Sequence, residues 1–234
     1  PGKRLKYLWN HALLQRRNLR QRYAGIFHAM IFWGFITLTI ATTVVMIDHD
    51  FGIPIMRGAF YLYFQSLFVD VLGLLALVGV VLAGYRRWKS KPGKLVYTDE
   101  ASWILIIGGV ILGTGFLLEG WRIVVTNDPW GAWSPVGYAT GALFAQFLSN
   151  ETLAQLHLWC WWFHLVLVFG FLAWAPFTKM LHPLTSALNI YSANLEPIGA
   201  SLKTIDFDTA ESFGVNSLNQ FTWKDLLDLD ACTE

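Results

Sequence analysis

Long apolar stretches, rather than alternation of apolar and polar positions, dominate this chain, and they lie at roughly 24–47, 61–85, 101–125 and 152–181. The first has no Asp, Glu, Lys or Arg between Ala24 and Ile47, and the second has only Asp70. The third carries Glu119 and Arg122 late, and the fourth is uncharged from Thr152 to Thr178. Each meets the requirement of about 20 apolar residues for crossing a hydrocarbon core. Such spans must be helical, because lipid offers the backbone no other hydrogen-bond partner. The pattern predicts an all-α membrane protein, a bundle of four transmembrane helices with a cytoplasmic polar C-terminal extension.

Composition agrees, with 55% hydrophobic, 16% aromatic and 14% charged residues in 234, outside the range of ordinary soluble domains. The net charge of +1 conceals a strong asymmetry. Lys3, Arg4, Lys6, Arg16, Arg17, Arg20 and Arg22 precede the first span, and Arg86, Arg87, Lys89, Lys91 and Lys94 fill the second connection. The positive-inside bias places both in the cytoplasm. The connections DHDFGIPIMRG and NDPWGAWSPVGYATGALFAQFLSNE then face out, the second folded on the membrane surface. The divisions expected are a basic cytoplasmic segment at 1–23, a membrane domain at 24–185 and a polar, acidic connector at 186–234. Lacking an initiator Met and a natural-looking end, the chain reads as a fragment of a longer polypeptide. No secretory signal, phosphate-cradling Gly loop or nucleic-acid-binding patch is visible. Cys160 and Cys232 do not form a disulfide framework, and Cys160 reads as inert.

Six histidines carry the candidate chemistry. Ionisable side chains within spans are costly and usually functional. His28 lies in the first turns of span one and His182 at the cytoplasmic end of span four, at matching depth, so a haem between two helices can take one imidazole from each. His164 precedes His182 by 18 residues, five helical turns, which would set both on one face about 27 Å apart. His157, seven residues before His164, shares that face to within about 20°. Helix one at the depth of His164 offers only Ile40, Ala41 and Thr42. The second site is therefore open between His49, His157, a five-coordinate haem and no second haem, and quinone hydrogen bonding is the rival role for His49 and His157. His11, in a basic stretch, reads as an interfacial residue.

Asp48, His49, Asp70, Glu119 and Arg122 lie toward the outer side, where they suit a quinone or proton path. Glu119 and Arg122, three residues apart, can equally satisfy each other as an ion pair. Asp70 has no opposite charge in its own span.

The tail FTWKDLLDLDACTE resembles the lead-in to a ferredoxin-type cluster motif. The blocks RYAGIFHAMIFWGF, DHDFG, GFLLEGWRI, PWGAWSPVGYA, LHLWCWWFHLVLVF and LNIY resemble the same family, the membrane-bound iron–sulfur oxidoreductases related to heterodisulfide reductase. The similarity covers nearly the whole chain. It implies a cytochrome b domain similar to the dihaem subunit of respiratory nitrate reductase, fused to a cytoplasmic [4Fe–4S] domain. On this resemblance His28, His164 and His182 match haem-ligand positions, and Cys232 becomes the first thiolate of a cubane cluster whose other ligands lie beyond Glu234. Leu38 stands where the nitrate reductase pattern has a second histidine, a departure at the distal haem.

The resemblance implies an oxidoreductase of the bacterial or archaeal cytoplasmic membrane, with both ends of the chain cytoplasmic. It would pass electrons between cytoplasmic iron–sulfur clusters, fed by electron-transferring flavoprotein or another soluble redox protein, and menaquinone, through one or two b haems. A relative oxidising menaquinol for disulfide or sulfur-compound reduction is the alternative. A non-catalytic membrane anchor is an alternative of another class, and spans uninterrupted by Gly/Pro pairs argue against a transporter.

Overall fold

The computed structural model describes residues 1–93, 97–196, 208, 215 and 217–231, and these contain helices and no strand. Among the described residues four helices are long and apolar enough to cross a membrane: Arg22–Asp50, Phe60–Ser90, Asp99–Thr126 and Asn150–Phe177. The chain is a membrane protein. It divides into two compact units, residues 18–174 and residues 1–17 with 175–234.

In the larger unit α2 (Arg22–Asp50) packs on α3 (Val69–Tyr85), α3 on α4 (Asp99–Thr126), and α4 on both α5 (Pro135–Ala145) and α6 (Asn150–Trp174). The helix of α3 begins earlier, as a π-helical stretch from Phe60 to Phe68, and ends in a π turn over Arg86–Ser90. Small residues set the closest contacts. Gly34, Thr37 and Ala41 of α2 are buried, as are Ala76, Gly79 and Ala83 of α3. A Cβ on Gly34 would sit 2.9 Å from the Leu72 carbonyl oxygen, and one on Gly79 would sit 2.9 Å from that of Phe27. Lipid supplies no hydrophobic drive between helices, so close backbone approach through small side chains holds such a pair. The α4–α5 crossing follows the same rule, with Gly120 against the backbone of Gly137 and Gly141. Large apolar side chains point outward instead, as with Trp159 (70% exposed) and Val166 (68%) on α6.

Arg87 belongs to the basic connection, yet it is buried. Its Nε donates to Ser102 Oγ at 2.8 Å, Nη2 donates to the Thr98 carbonyl, and the guanidinium lies over the Tyr97 ring. Thr98 in turn caps α4 through the Ala101 N–H, so this connection is tied to the start of the third span by specific bonds as well as marked by its charge.

α5 was not expected as an element. Pro135 opens it at the first helical position, where a missing N–H costs nothing. The next two amides are capped from another helix: Asp70 of α3 accepts from Val136 N–H at 2.8 Å and Gly137 N–H at 3.0 Å. A buried carboxylate at a helix N-terminus satisfies two orphan donors and the positive end of the dipole. Asp70 therefore has a structural partner, which its own span could not show.

In the smaller unit α1 (Gly2–Leu8), extended by a π turn over Trp9–Leu13, packs on α7 (His182–Tyr191), and α7 on α8 (Trp223–Asp230). Arg4 Nη1 donates to the carbonyl of Tyr191, the last residue of α7, at 2.8 Å and to that of Ala193 just beyond it at 2.9 Å, a favourable cation at a negative helix end. Lys224 bridges Asn189 of α7 and Asp228 of α8, and Thr222 with Asp225 forms a capping box that starts α8.

The fourth span corrects one expectation. α6 ends at Trp174, followed by short 3₁₀ turns at Ala175–Phe177 and Lys179–Leu181, and His182 opens a separate helix. Pro176 is the physical reason: it lacks an N–H and drives the preceding residue out of the α region. His164 and His182 thus do not share a continuous helical face, and the 18-residue spacing carries no geometric argument.

Candidate functional site

His164, half-buried on α6, faces α4. Its Nδ1 lies 2.8 Å from Thr114 Oγ1, and that hydroxyl is itself within donating distance of the Val110 carbonyl at 2.8 Å and the Ile111 carbonyl at 3.1 Å. A hydroxyl has one proton. With it directed to a carbonyl, Thr114 accepts from His164 Nδ1 and the lone pair falls on Nε2; with it directed to the ring, Nδ1 is the acceptor. The first of these is the arrangement in which a histidine ligates a metal while its other nitrogen is held by a hydrogen bond.

His182 shows the same feature by a different route. Its Nδ1 lies 2.6 Å from the Lys179 carbonyl, and a carbonyl only accepts, so Nδ1 carries the proton and Nε2 the lone pair. Burial holds this imidazole below its ordinary pKa, only partly offset by that hydrogen bond, which favours the neutral ring a metal requires. Both residues fit an axial haem ligand on hydrogen-bonding grounds. Among the described residues no group of three or more His, Cys, Asp and Glu converges as a metal cage; axial ligation of haem requires only one or two side chains.

The other sequence candidates separate. His28 is half-buried in the second turn of α2. His157 lies on α6 within electrostatic reach of Arg122 and Glu119. His49 is 86% exposed and pairs with the neighbouring Asp50 at 2.9 Å. Asp48 accepts from the Ile55 and Met56 N–H groups at 2.7 and 2.9 Å, folding the connection after α2 back on itself. Cys232 lies outside the described residues.

Glu119 and Arg122 do pair, with Nη2 to Oε1 at 3.0 Å and Nε to Oε2 at 3.2 Å. The pair belongs to a larger network. Arg122 Nη1 also donates to Asp128 Oδ2 at 2.8 Å, Tyr61 hydroxyl donates to the same oxygen at 2.8 Å, and Ser134 hydroxyl donates to Glu119 Oε1 at 3.1 Å. Burial pushes the Asp128 carboxyl up, but hydrogen bonds from Trp130 N–H, Tyr61 and Arg122 outweigh it and hold the group below the usual carboxylate range. One guanidinium thus serves two carboxylates. The network borders an open pocket of about 530 Å³ lined by Met56, Arg57, Tyr61, Arg122, Asp128 and Trp130, with Gly58, Thr126 and Pro129 completing it.

Tyr61, Thr114, Asp128 and Ser134 were not singled out from the sequence. Asp128 sits six residues beyond Arg122, a signal that was available. The partnership of Thr114 with His164 crosses helices and leaves no local trace.

Fold and site together define a four-span helical membrane protein with hydrogen-bonded histidines on and just after its last span and an ionic network at one end of the bundle. Comparison with known proteins narrows this class. EtfAB:quinone oxidoreductase of Syntrophomonas wolfei subsp. wolfei is 37% identical over 227 residues, 93% of this chain and 32% of that protein. The probable iron-sulfur-binding oxidoreductase FadF of Bacillus subtilis is 30% identical over 236 residues, 99% of this chain and 33% of that protein. The chain is related to one part of each of these proteins, and the match runs along nearly the whole of the chain. It spans about a third of the length of the curated relatives it matches. No family model and no solved structure matches it.

Proposed function

We propose that this chain is the membrane electron-transfer part of a quinone-linked oxidoreductase, passing electrons between cytoplasmic iron–sulfur clusters and menaquinone through haem b. The observation that carries the reading is the hydrogen bonding of His164 and His182, whose Nδ1 atoms lie 2.8 and 2.6 Å from the Thr114 hydroxyl and the Lys179 carbonyl, the outer contact that accompanies metal ligation through the other ring nitrogen. His28 is the proposed second ligand at the inner site, and His157 or His49 at the outer one. Bound haem supplies one-electron redox chemistry; the chain supplies the axial imidazoles, their orientation and an apolar surround.

The name EtfAB:quinone oxidoreductase supports electron-transferring flavoprotein as donor and quinone as acceptor. The iron-sulfur-binding name of the second relative supports Cys232 as the first ligand of a [4Fe–4S] cluster. The basic residues before α2 and after α3 support cytoplasmic placement of both ends, with the α5 end of the bundle outside.

A reduced-minus-oxidised spectrum of the purified full-length protein tests the reading. A b-type α-band is expected, and His28→Ala or His182→Ala should each remove one haem per chain. No α-band in the wild type overturns it.

A further inference from the structure

The pocket at the α5 end has a composition that the electron-transfer reading does not by itself explain. Arg122 and Asp128 are polar groups at the end of a membrane span, with side-chain exposures of 34% and 8%. Both line the pocket, as does the Tyr61 hydroxyl bonded to Asp128. A guanidinium has five N–H donors; the bonds given use three of them, on Nε, Nη1 and Nη2. Opposite stand the apolar Met56 and the indole of Trp130, itself 51% exposed. The pocket therefore joins hydrogen-bond donors to an aromatic wall, and it opens widely where α3 and α4 leave the apolar region. A flat, uncharged ring with two carbonyl acceptors matches it. An anionic headgroup matches it less well, because the guanidiniums of Arg57 and Arg122 at the pocket are balanced by Asp128, which lines it, and Glu119, which pairs with Arg122, leaving no net positive charge.

We propose that this pocket binds the quinone headgroup and that Tyr61 is the group that exchanges a proton with it, its hydroxyl turning from Asp128 to the ring. The inference rests on the quinone-linked reading and assigns it a site. Reduction of a quinone to quinol takes two electrons and two protons and forms one O–H bond at each carbonyl oxygen. The electrons come one at a time from the iron–sulfur reductant of the proposed function. The Tyr61 hydroxyl turns from Asp128, where it donates in the free pocket, to one carbonyl oxygen, gives it the proton and regains one from water at the open mouth. The second carbonyl oxygen takes its proton from water at the open mouth. Asp128 stays fixed throughout, because Arg122 and the Trp130 N–H hold its two oxygens. Arg122 in turn is held by Glu119, which makes Glu119 a positioning residue.

The test uses the full-length protein in detergent, with heptyl-hydroxyquinoline N-oxide as a fluorescent quinone analogue. Tyr61→Phe removes the hydroxyl, and Thr126→Trp fills the pocket from α4. Each variant should weaken analogue binding at least about tenfold, the size of one charge-assisted hydrogen bond or more, with the wild-type b-type spectrum kept. Tyr61→Phe should also slow quinone reduction and flatten its dependence on pH. A Tyr61 that merely braces Asp128 would lower thermal stability and leave analogue affinity unchanged, which overturns the proposal, as does wild-type affinity in both variants. Analogue binding by a wild type that shows no α-band would overturn the haem reading alone and leave this site standing. A wild type that binds no analogue overturns the site.

Discussion

At the scale of single residues, what distinguishes this chain is which nitrogen of each histidine carries the proton. A span histidine can serve merely as interhelical glue, and exposure alone does not separate that role from metal ligation. At His164 the partner is the Thr114 hydroxyl, 2.8 Å from Nδ1 and also within reach of two carbonyls of its own helix; with its proton on a carbonyl it accepts from the imidazole, as a ligating ring requires. Thr114→Val keeps the shape and removes the acceptor. It leaves a part-buried N–H unpaired, at a cost of about 1–3 kcal/mol, and frees the ring to turn. Loss of such a partner typically weakens metal binding roughly 10–100-fold. The haem-to-protein ratio of purified Thr114→Val should therefore fall, and Thr114→Ser, which keeps the hydroxyl, should restore it. An unchanged ratio in Thr114→Val would mean that His164 holds no haem iron.

At the scale of elements, the sequence discloses what lipid demands and hides what other segments supply. About 20 apolar residues must run together to cross a membrane, so all four spans stand out in the sequence. Their ends are another matter. Pro176 marked the end of α6, yet the apolar composition around it concealed the break, and Ser134-Pro135 marked the start of α5 in a stretch read only as a surface connection. The cap on α5 was out of reach, because Asp70 lies 66 residues from Val136 and no local pattern links them. The network around Arg122 was half visible: the Glu119 pair follows from helical spacing, while Tyr61 arrives from another helix. Packing of α2 on α3 is equally non-local and makes its own prediction. Gly34 meets Ala76 and the Leu72 backbone, so Gly34→Leu must force the helices apart. Overpacking of this kind costs about 1–3 kcal/mol or more, and thermal unfolding in detergent should show a lowered midpoint. Gly108→Leu, where an added Cβ meets nothing within 4 Å, should change it little.

At the scale of the whole molecule, orientation joins the charge pattern to the chemistry. If the basic stretches lie in the cytoplasm, then the end of the bundle built from the α2–α3 connection and α5 faces outward, and with it the pocket bordered by Tyr61 and Asp128. Twelve of the 17 Lys and Arg lie at Pro1–Tyr23 and Arg86–Asp99, and such a bias sets topology in short connections. Cysteines introduced one at a time decide the matter in intact cells carrying the full-length protein with Cys160 replaced by Ser, with labelling read against the same protein lacking the introduced cysteine. Gly52→Cys, exposed in the connection after α2, should react with a membrane-impermeant maleimide added outside. Lys91→Cys, in the basic connection, should react only after the cells are opened. The reverse pattern would place the pocket on the cytoplasmic side. Quinone protons would then come from the cytoplasm, and electrons would leave on the side from which they entered, so reduction would move no electron across the bilayer. With the expected pattern electrons and protons meet from opposite sides. The arrangement then couples electron transfer to the membrane potential, which, inside negative, drives outward electron movement by about 2.3 kcal/mol per charge for each 100 mV crossed.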